Sequence, residues 1–462
     1  MSGMGGGMQF GRDLPLLLPQ IILLLTAIVA LVAEMLRRPR LALPLTVGGL
    51  LVATGFAVPL IGRNTTVFME TFRVDALSVW ATLILLPTTA LTVVLAFPEV
   101  RGTDREGTVY SLFAFTALGP LVLAGAGDAM FLVLGLLLSS LGSFALVAYP
   151  RDERATEAAM KYFVFGSVTG AIFIFGLTYW FGATGSTLLT DLDRLQGRSL
   201  AAIAGLVAVL VGLGYKAAIA PFHFWAPDAY DGAPLAVAAF LSIVPKVGAI
   251  FALAQIARTL PTGAVNWPVV IGVLAVVSMT YGNLAALPQT NVVRLLAYSS
   301  IAQAGYFLLG VVGTGRTDLA VRSLVIFAAA YAAMNLGAFA ITARVGRDLT
   351  AFTGIGLSAP WTGGAMVIFL LSLVGVPPLA GFVGKLLLFG AAIDAGYTWL
   401  AVAGILNSTL SLAVYLRVIV PMYRPAQAIT VAGRPVVVVW SIAVAFTVGI
   451  GLAVQMLVSR VV

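Results

Sequence analysis

The sequence predicts an all-α polytopic membrane protein with about fourteen transmembrane helices. Apolar residues make up 60% of the 462-residue chain, and the mean hydropathy is +1.05. Apolar runs of roughly 20 residues, the length that crosses a bilayer as a helix, recur along the whole chain. The loops between them are too short to form a soluble domain.

The runs are separated by loops that carry turn residues. The predicted spans are 14–36, 41–61, 75–97, 108–126, 128–149, 158–183, 199–226, 233–257, 267–287, 292–313, 320–343, 361–393, 397–420 and 432–457. Lys and Arg are in modest excess in the alternate loops that hold Arg37, Arg101 and Arg151. This bias places those loops in the cytoplasm and both termini outside.

Composition excludes several kinds of site. The chain has no cysteine, which excludes disulfides, thiolate metal sites, iron–sulfur ligation and a cysteine nucleophile. The single histidine, His223, excludes a multi-histidine metal or haem site within this chain. The net charge of +8 comes mostly from loop arginines. Anionic lipid head groups are the expected partners of these arginines, and no nucleic-acid-binding motif is present.

Two spans are interrupted by proline. The run 199–226 contains Pro221, and the run 361–393, too long for one straight crossing, contains Pro377 and Pro378. Proline removes an amide donor and breaks a helix, and a broken helix at membrane depth is tolerated where the freed backbone is buried or lines a wet cavity. A lysine precedes the first break and follows the second. This reversed order indicates two inverted repeats, although two ordinary kinks would give the same prolines.

Three of the four lysines lie inside apolar runs, and they are the main candidates for chemistry. These are Lys216, Lys246 and Lys385. A charged side chain at mid-membrane costs roughly 3 kcal/mol or more, and lysine loses its proton readily when desolvated. The pattern favours a proton relay over structural burial. Lys161, near the start of a run, fits a lysine that reaches the membrane surface.

Other polar residues could assist these lysines. His223, just after the first break, could pass a proton between Lys216 and the cytoplasm, or bond freed carbonyl groups. Tyr298, Ser299, Ser300 and Gln303 gather on the run 292–313, where they could hold a water wire or bond neighbouring helices. All eighteen acidic residues lie in loops or near span ends, so no carboxylate is evident as a partner for a mid-membrane lysine.

Several segments resemble the antiporter-type subunits of respiratory complex I, most closely the subunit N family. They cover roughly residues 128–423 and include GYKAAIAPFHFWAPDAYDGAP, QTNVVRLLAYSSIAQAGYFLLG and SLVGVPPLAGFVGKLLLF. The resemblance implies fourteen helices with two inverted five-helix repeats, each with one broken helix. On this basis, the expected divisions are helices 1–3 in residues 1–107, the first repeat in 108–257, the second in 258–423 and helix 14 in 424–462.

The resemblance also implies a function. Lys216 and Lys385 would be the central proton carriers, and Lys246 the connecting lysine. The chain would be a proton-translocating, non-redox subunit in the plasma (inner) membrane of a prokaryote, surrounded by other membrane-arm subunits. NAD, flavin, iron–sulfur clusters and quinone would be bound by those other subunits, with no cofactor in this chain. The alternatives are a cation/proton antiporter or membrane-bound hydrogenase subunit, and a structural paralogue that has lost pumping.

The sequence departs from the family pattern at three places. Leu137 stands where the family has a glutamate that pairs with the lysine of the first broken helix. Without that counter-ion, we expect charged Lys216 to be costlier and the first half-channel to be weakened or differently coupled. Leu235 and Ala236 replace the usual Thr-Pro, and Gln303 stands where the family often has histidine.

Overall fold

A computed structural model describes residues 10–426 and 434–453, which are predominantly helical. The first helices are α1 (Phe10–Asp13), α2 (Leu18–Met35), α3 (Pro39–Ala57) and α4 (Ala76–Val100). The next group is α5 (Glu106–Ala124), α6 (Ala129–Ala148), α7 (Glu153–Thr184), α8 (Ser199–Lys216), α9 (Trp225–Gly232) and α10 (Leu235–Ala257). The remainder are α11 (Trp267–Ala286), α12 (Val292–Gly313), α13 (Leu319–Val345), α14 (Ile355–Ser358), α15 (Pro360–Val374), α16 (Ala380–Asp394), α17 (Thr398–Met422) and α18 (Arg434–Leu452).

Fourteen membrane crossings follow from these helices. Within the described residues, thirteen helices are long and apolar enough to cross a bilayer by themselves. The pair α15 and α16 completes the set, because 15 residues reach only about 22 Å and each half is too short to cross alone. The fold predicted from the sequence is thereby confirmed.

The observed boundaries differ from the predicted ones in a few places. Helix α7 starts at Glu153 rather than 158, because the Asp152 carboxylate caps it by accepting from the Ala155 amide at 2.7 Å. A short hairpin of β1 (Thr65–Val67) and β2 (Phe72–Val74) was not predicted. The last predicted span, 432–457, and the division 424–462 lie partly outside the described residues.

The helices from α5 to α17 show the same pattern twice. In α5–α10 and again in α11–α17, five crossings occur in order, and the fourth is broken. Five crossings form an odd number, so the second set starts on the opposite side of the membrane from the first. The two sets are therefore inverted relative to each other. The exact domain divisions stay a prediction.

The two breaks separate helices in different ways. In the first, α8 ends at Lys216, eight residues of turn follow, and α9 begins at Trp225. In the second, Gly375 adopts φ +95° at the end of α15, a conformation that glycine accepts readily, and α16 begins at Ala380. Each break contains one cis peptide bond, before Pro221 and before Pro378.

Two aspartates of α9 connect the first break to the second repeat. Asp228 pairs with Arg294 of α12 at 2.8 Å and with Lys161 of α7 at 3.2 Å. Asp231 pairs with Arg154 at 2.5 Å and lies 3.6 Å from Arg347, beyond the end of α13. These acids hold the end of the first broken helix in place, and their ion pairs in the described residues are with other basic side chains than Lys216, Lys246 and Lys385.

Candidate functional site

Lys216, the last residue of α8, is fully buried and is bound by side chains alone. Its Nζ atom lies 3.2 Å from Ser140 Oγ of α6 and 3.2 Å from the Tyr162 hydroxyl of α7. Nζ is also 5.6 Å from the centroid of the Tyr162 ring. Two neutral hydroxyls and an aromatic face therefore form its surroundings, with no carboxylate in contact.

The Tyr162 ring is held by its neighbours. It stacks on Trp225 with the ring centroids 4.3 Å apart and on Tyr215 at 5.9 Å. The Trp225 indole donates to the Tyr215 carbonyl oxygen at 2.8 Å, and the Tyr215 hydroxyl donates to the Tyr162 carbonyl oxygen at 2.6 Å. The three rings join α7, α8 and α9 and fix the hydroxyl group that faces Lys216.

Lys385, in the first turns of α16, is also buried, but its partners include the backbone. Nζ donates to the carbonyl oxygens of Leu373 at 2.8 Å and Val374 at 3.0 Å, and to Ser408 Oγ at 3.1 Å. The Tyr306 ring lies 3.9 Å from Nζ, a close cation–π distance. The two carbonyl groups belong to the last turn of α15, where they have no intrahelical partner.

Lys246 lies at the centre of α10, between the other two lysines in chain order, and is fully buried. Its Nζ donates to both the carbonyl oxygen and the hydroxyl of Ser300 on α12. The Tyr331 hydroxyl lies 2.9 Å from Ser300 Oγ and 3.0 Å from the Ser242 carbonyl oxygen. Asn335 donates to Ser242 Oγ at 2.6 Å. Lys246 therefore sits in a polar cluster shared by α10, α12 and α13.

Residues of α12 connect the Lys385 site to the Lys246 cluster. The Gln303 amide donates to the Leu373 carbonyl oxygen at 3.0 Å, the same atom that accepts from Lys385. Its amide nitrogen is also 3.5 Å from the Tyr415 hydroxyl, which lies 2.6 Å from Ser299 Oγ. Ser299 is the neighbour of Ser300 in the chain. A path of polar residues therefore extends along α12 from the Lys385 site towards the Lys246 cluster, with no hydrogen bond between Ser299 and Ser300 in the described part of the chain.

His223 and Tyr298 lie apart from this path. The His223 ring is buried and packs against Tyr281, with the centroids 4.5 Å apart, and its Nδ1 atom has no hydrogen-bond partner in the described part of the chain. Tyr298 meets Tyr281 edge-on at 6.3 Å. Tyr281 therefore contacts both of these predicted residues. The side chains that contact Lys216 are Ser140 and Tyr162, not His223 or Tyr298.

Ser140, rather than Leu137, is the α6 residue in contact with Lys216. Leu137 is 44% exposed on the outer surface of α6, one turn before Ser140. Leu137 and Ser140 are therefore neighbours on the surface of α6, but the Leu137 side chain faces the outside of the helix bundle, where lipid or a neighbouring subunit would lie. A glutamate there would have to reach inward to approach the lysine.

Several residues of the site were not identified from the sequence. They are Ser140, Tyr162, Tyr230, Tyr306, Tyr331, Ser408 and Tyr415. A tyrosine in the middle of an apolar span is a usable signal, because a buried phenol needs a polar partner. The serines give no such signal, since a serine hydroxyl can bond the backbone of its own helix.

Tyr230 of α9 stands between the Lys216 and Lys246 clusters. Its ring meets Trp225 edge-on at 5.9 Å, and Trp225 stacks on Tyr162. Its hydroxyl is buried and makes no hydrogen bond of normal geometry to any described residue. The polar path is therefore interrupted at Tyr230.

Comparisons with known proteins agree with this architecture. Residues 126–411 match the family model described as NADH:quinone oxidoreductase/Mrp antiporter, TM. NADH-quinone oxidoreductase subunit N 1 of Streptomyces griseus is 39% identical over 459 residues, which is 96% of this chain and 95% of the relative. F(420)H(2) dehydrogenase subunit N of Methanosarcina mazei is 35% identical and covers 89% of each chain.

A solved structure supports the same assignment. A chain of respiratory complex I from Thermus thermophilus superposes with a TM-score of 0.84 at 31% identity, covering 96% of this chain and 99% of that chain. The similarity therefore extends over nearly the full length of both chains. The chain belongs to the NADH:quinone oxidoreductase/Mrp antiporter family of membrane subunits, and its curated relatives are subunit N proteins.

Proposed function

We propose that this chain is a proton-translocating, non-redox subunit N in the membrane arm of an NADH:quinone oxidoreductase-type complex. One observation carries the proposal. Lys216, Lys246 and Lys385 are all buried among apolar helices, and each lies in a cluster of hydroxyl, carbonyl or amide groups. Because no carboxylate among the described residues contacts these lysines, each charged form depends on neutral groups and would be costly enough for the proton to be transferable.

Each lysine would hold and release a proton at Nζ. Lys385 would exchange with Lys246 along Gln303, Tyr415, Ser299 and Ser300. Lys246 would exchange with Lys216 across the gap at Tyr230, with the Tyr162 hydroxyl completing the path on the far side. His223 and Tyr298 would assist proton transfer from their separate cluster around Tyr281. The driving force would come from electron transfer from NADH to quinone in other subunits.

The cofactors would be bound elsewhere in the complex. No group of three His, Asp or Glu side chains in the described residues is arranged to hold a metal ion. The relative from Methanosarcina mazei carries the name of an F(420)H(2) dehydrogenase. We therefore infer that the electron donor is set by the other subunits. The partners would be adjacent antiporter-like and small membrane subunits and the lipid of the plasma (inner) membrane.

Affinity purification of the chain in mild detergent, followed by reconstitution into vesicles, tests the proposal. We expect a peripheral NADH-oxidising arm to co-purify, with quinone reduction coupled to vesicle acidification. Lys385→Ala should leave the complex assembled and strongly reduce the coupled activity. Wild-type behaviour of that variant would reject the relay.

A cation/proton antiporter subunit is the alternative, since the matched family also includes Mrp antiporters. The same purification distinguishes the two functions. Partners limited to a few other polytopic subunits, with cation-dependent proton exchange and no redox activity, would assign the chain to an antiporter. Within the described residues, no carboxylate contacts these lysines, and a hard cation would therefore lack the charged oxygen ligands that it prefers, which favours proton transfer.

A further inference from the structure

A polar pocket and an apolar groove meet at Trp80, away from the lysine path. The pocket has a volume of about 830 Å³ and is lined by loops at one end of the bundle, from Gly62 to Asn64 and from Gly315 to Asp318. The groove has a volume of about 220 Å³ and lies between α4, α13 and α18. Trp80 lines both, so the two form one continuous surface.

The pocket is lined by three arginines, of which one, Arg258, is already paired with a carboxylate. Arg63, Arg258 and Arg316 line it, against the carboxylates of Asp75 and Asp318. Asp75 is already bound by Arg258, by the Gln255 amide at 3.0 Å and by the Ser78 amide at 3.1 Å.

Arg63 makes no ion pair with the residues that the structure describes, and Arg316 lies over the Tyr397 ring at 5.5 Å. Three arginines against two aspartates leave one positive charge in excess. The pocket is therefore suited to an anion.

The groove descends from this pocket into the apolar layer. On α4 its wall is a stripe from Trp80 to Leu91, and on α13 a stripe from Val325 to Leu336. Each stripe covers eleven helical steps, about 16 Å, which is about half of the ~30 Å hydrocarbon core. The one hydroxyl in the wall, Thr88 Oγ1, donates to the Ile84 carbonyl oxygen of its own helix at 2.7 Å. The wall is therefore apolar throughout.

The dimensions decide what could fill the groove. A helix with side chains is about 10 Å across, far too wide for a groove of about 220 Å³. An extended hydrocarbon chain fits, and Trp80 lies where aromatic rings mark the boundary between head groups and hydrocarbon. A single ligand with an anionic head and an apolar chain matches both parts in the observed order.

We propose that this surface is a binding site for an anionic glycerophospholipid. Its phosphate lies among Arg63, Arg258 and Arg316, and one acyl chain lies in the groove between α4, α13 and α18. The site binds lipid and takes no part in proton transfer. It is independent of the proposed function.

Photo-crosslinking tests the site in the assembled complex. The complex is placed in nanodiscs that contain phosphatidylglycerol with a diazirine near the end of one acyl chain, and labelled peptides are mapped by mass spectrometry. We expect labelling of the stripes 80–91 and 325–336 well above that of the lipid-facing surface of α7. Phosphatidylcholine with the same acyl probe should label the groove less.

Two kinds of variant separate the parts of the site. Ala329→Phe fills the groove and should abolish its labelling, whereas Ala171→Phe, on the exposed face of α7, should leave it unchanged. Arg63→Gln and Arg316→Gln should each lower phosphatidylglycerol labelling by about 5-fold and leave phosphatidylcholine labelling as it was.

Three outcomes would overturn the proposal. The first is groove labelling no greater than that of α7. The second is equal labelling by the two lipids, which would remove the head-group assignment. The third is loss of the phosphatidylglycerol preference on adding inorganic phosphate at constant ionic strength, which would make the pocket a site for free phosphate.

Discussion

The two broken helices hold their lysines by different means. Lys216 precedes its break and contacts two hydroxyl groups, those of Ser140 and Tyr162. Lys385 follows its break and contacts two carbonyl oxygens, of Leu373 and Val374, as well as Ser408. Both have an aromatic face nearby, but the ring at Lys385 is closer, at 3.9 Å against 5.6 Å.

The difference originates in how each helix end is capped. At the end of α8, the Gly214 carbonyl oxygen accepts from the Ile219 amide, and the Tyr215 carbonyl oxygen accepts from the Ala218 amide and from Trp225. At the end of α15, the Leu373 and Val374 carbonyl oxygens accept from lysine instead. The negative end of the α15 dipole therefore faces Lys385, which partly takes the place of a carboxylate.

Removing each lysine gives the largest expected effect and shows whether both sites work. Lys216→Met and Lys385→Met should each lower proton pumping by about 100-fold, the scale of a lost proton-transfer group. The measurement is acidification of vesicles that contain the reconstituted complex. Lys161→Met is the matched control, because this lysine is exposed and its ion pairs with Glu157 and Asp228 contribute little. If Lys216→Met pumped normally, the first half would not be a channel.

Substitutions of Tyr162 and Tyr306 separate the contribution of a tyrosine hydroxyl from the contribution of its ring. Tyr162→Phe removes a hydroxyl that contacts Lys216 directly and should lower pumping about tenfold, since a buried group loses its partner. Tyr306→Phe keeps the ring over Lys385 and should change pumping by less than about 2-fold, whereas Tyr306→Leu removes the ring and should have an effect of about tenfold. Equal effects of the two Tyr→Phe changes would contradict the contrast between the sites.

A carboxylate added to the first site should make it more like a conventional ion pair. Ser140→Asp places an acid beside Lys216 Nζ, so we expect the pH dependence of pumping to change markedly. Leu137→Glu, one turn away on the exposed surface of α6, should act in the same sense but more weakly. The check is the pH profile of vesicle acidification for both variants and the parent. An unchanged profile in both would show that the missing counter-ion is unimportant.

Replacing Gln303 should have a smaller effect than removing either lysine, the Tyr162 hydroxyl or the Tyr306 ring. Gln303→Leu removes one neutral hydrogen bond to the Leu373 carbonyl oxygen, and we expect a loss of about 5-fold in pumping. Gln303→His restores a group that can carry a proton and should perform at least as well as the parent. A histidine variant that is as impaired as the leucine variant would show that Gln303 only positions α15.

The sequence predicted the parts of this site that depend on local pattern. Apolar runs gave the crossings, prolines gave the breaks, and lysines inside apolar runs were conspicuous because charge there is costly. The hairpin of β1 and β2 was missed because strands of three residues show no alternating pattern. The partners of the lysines were missed for another reason. Tyr162 is 54 residues from Lys216, and Ser408 is 23 from Lys385, so only the packing of helices brings them together.

The position of Leu137 shows the limit of arguing by resemblance. The family pattern indicated a missing acid, and the structure shows that another residue on the same helix, Ser140, supplies the contact to Lys216. A sequence match identifies the helix but not which turn of it reaches the lysine. The side-chain direction is fixed by how α6 packs on α5 and α7, which no local pattern encodes.

The unpaired hydroxyl of Tyr230 has a consequence for energy conservation. A conductor that was complete at all times would let protons return down the membrane potential, dissipating about 2.3 kcal/mol per proton for every 100 mV. Within the described residues, no hydrogen bond of normal geometry joins the Tyr230 hydroxyl to either lysine cluster. In the proposed relay, the two halves would conduct only when a movement of this side chain joins them, so the insulation of the membrane would rest on the position of one phenol.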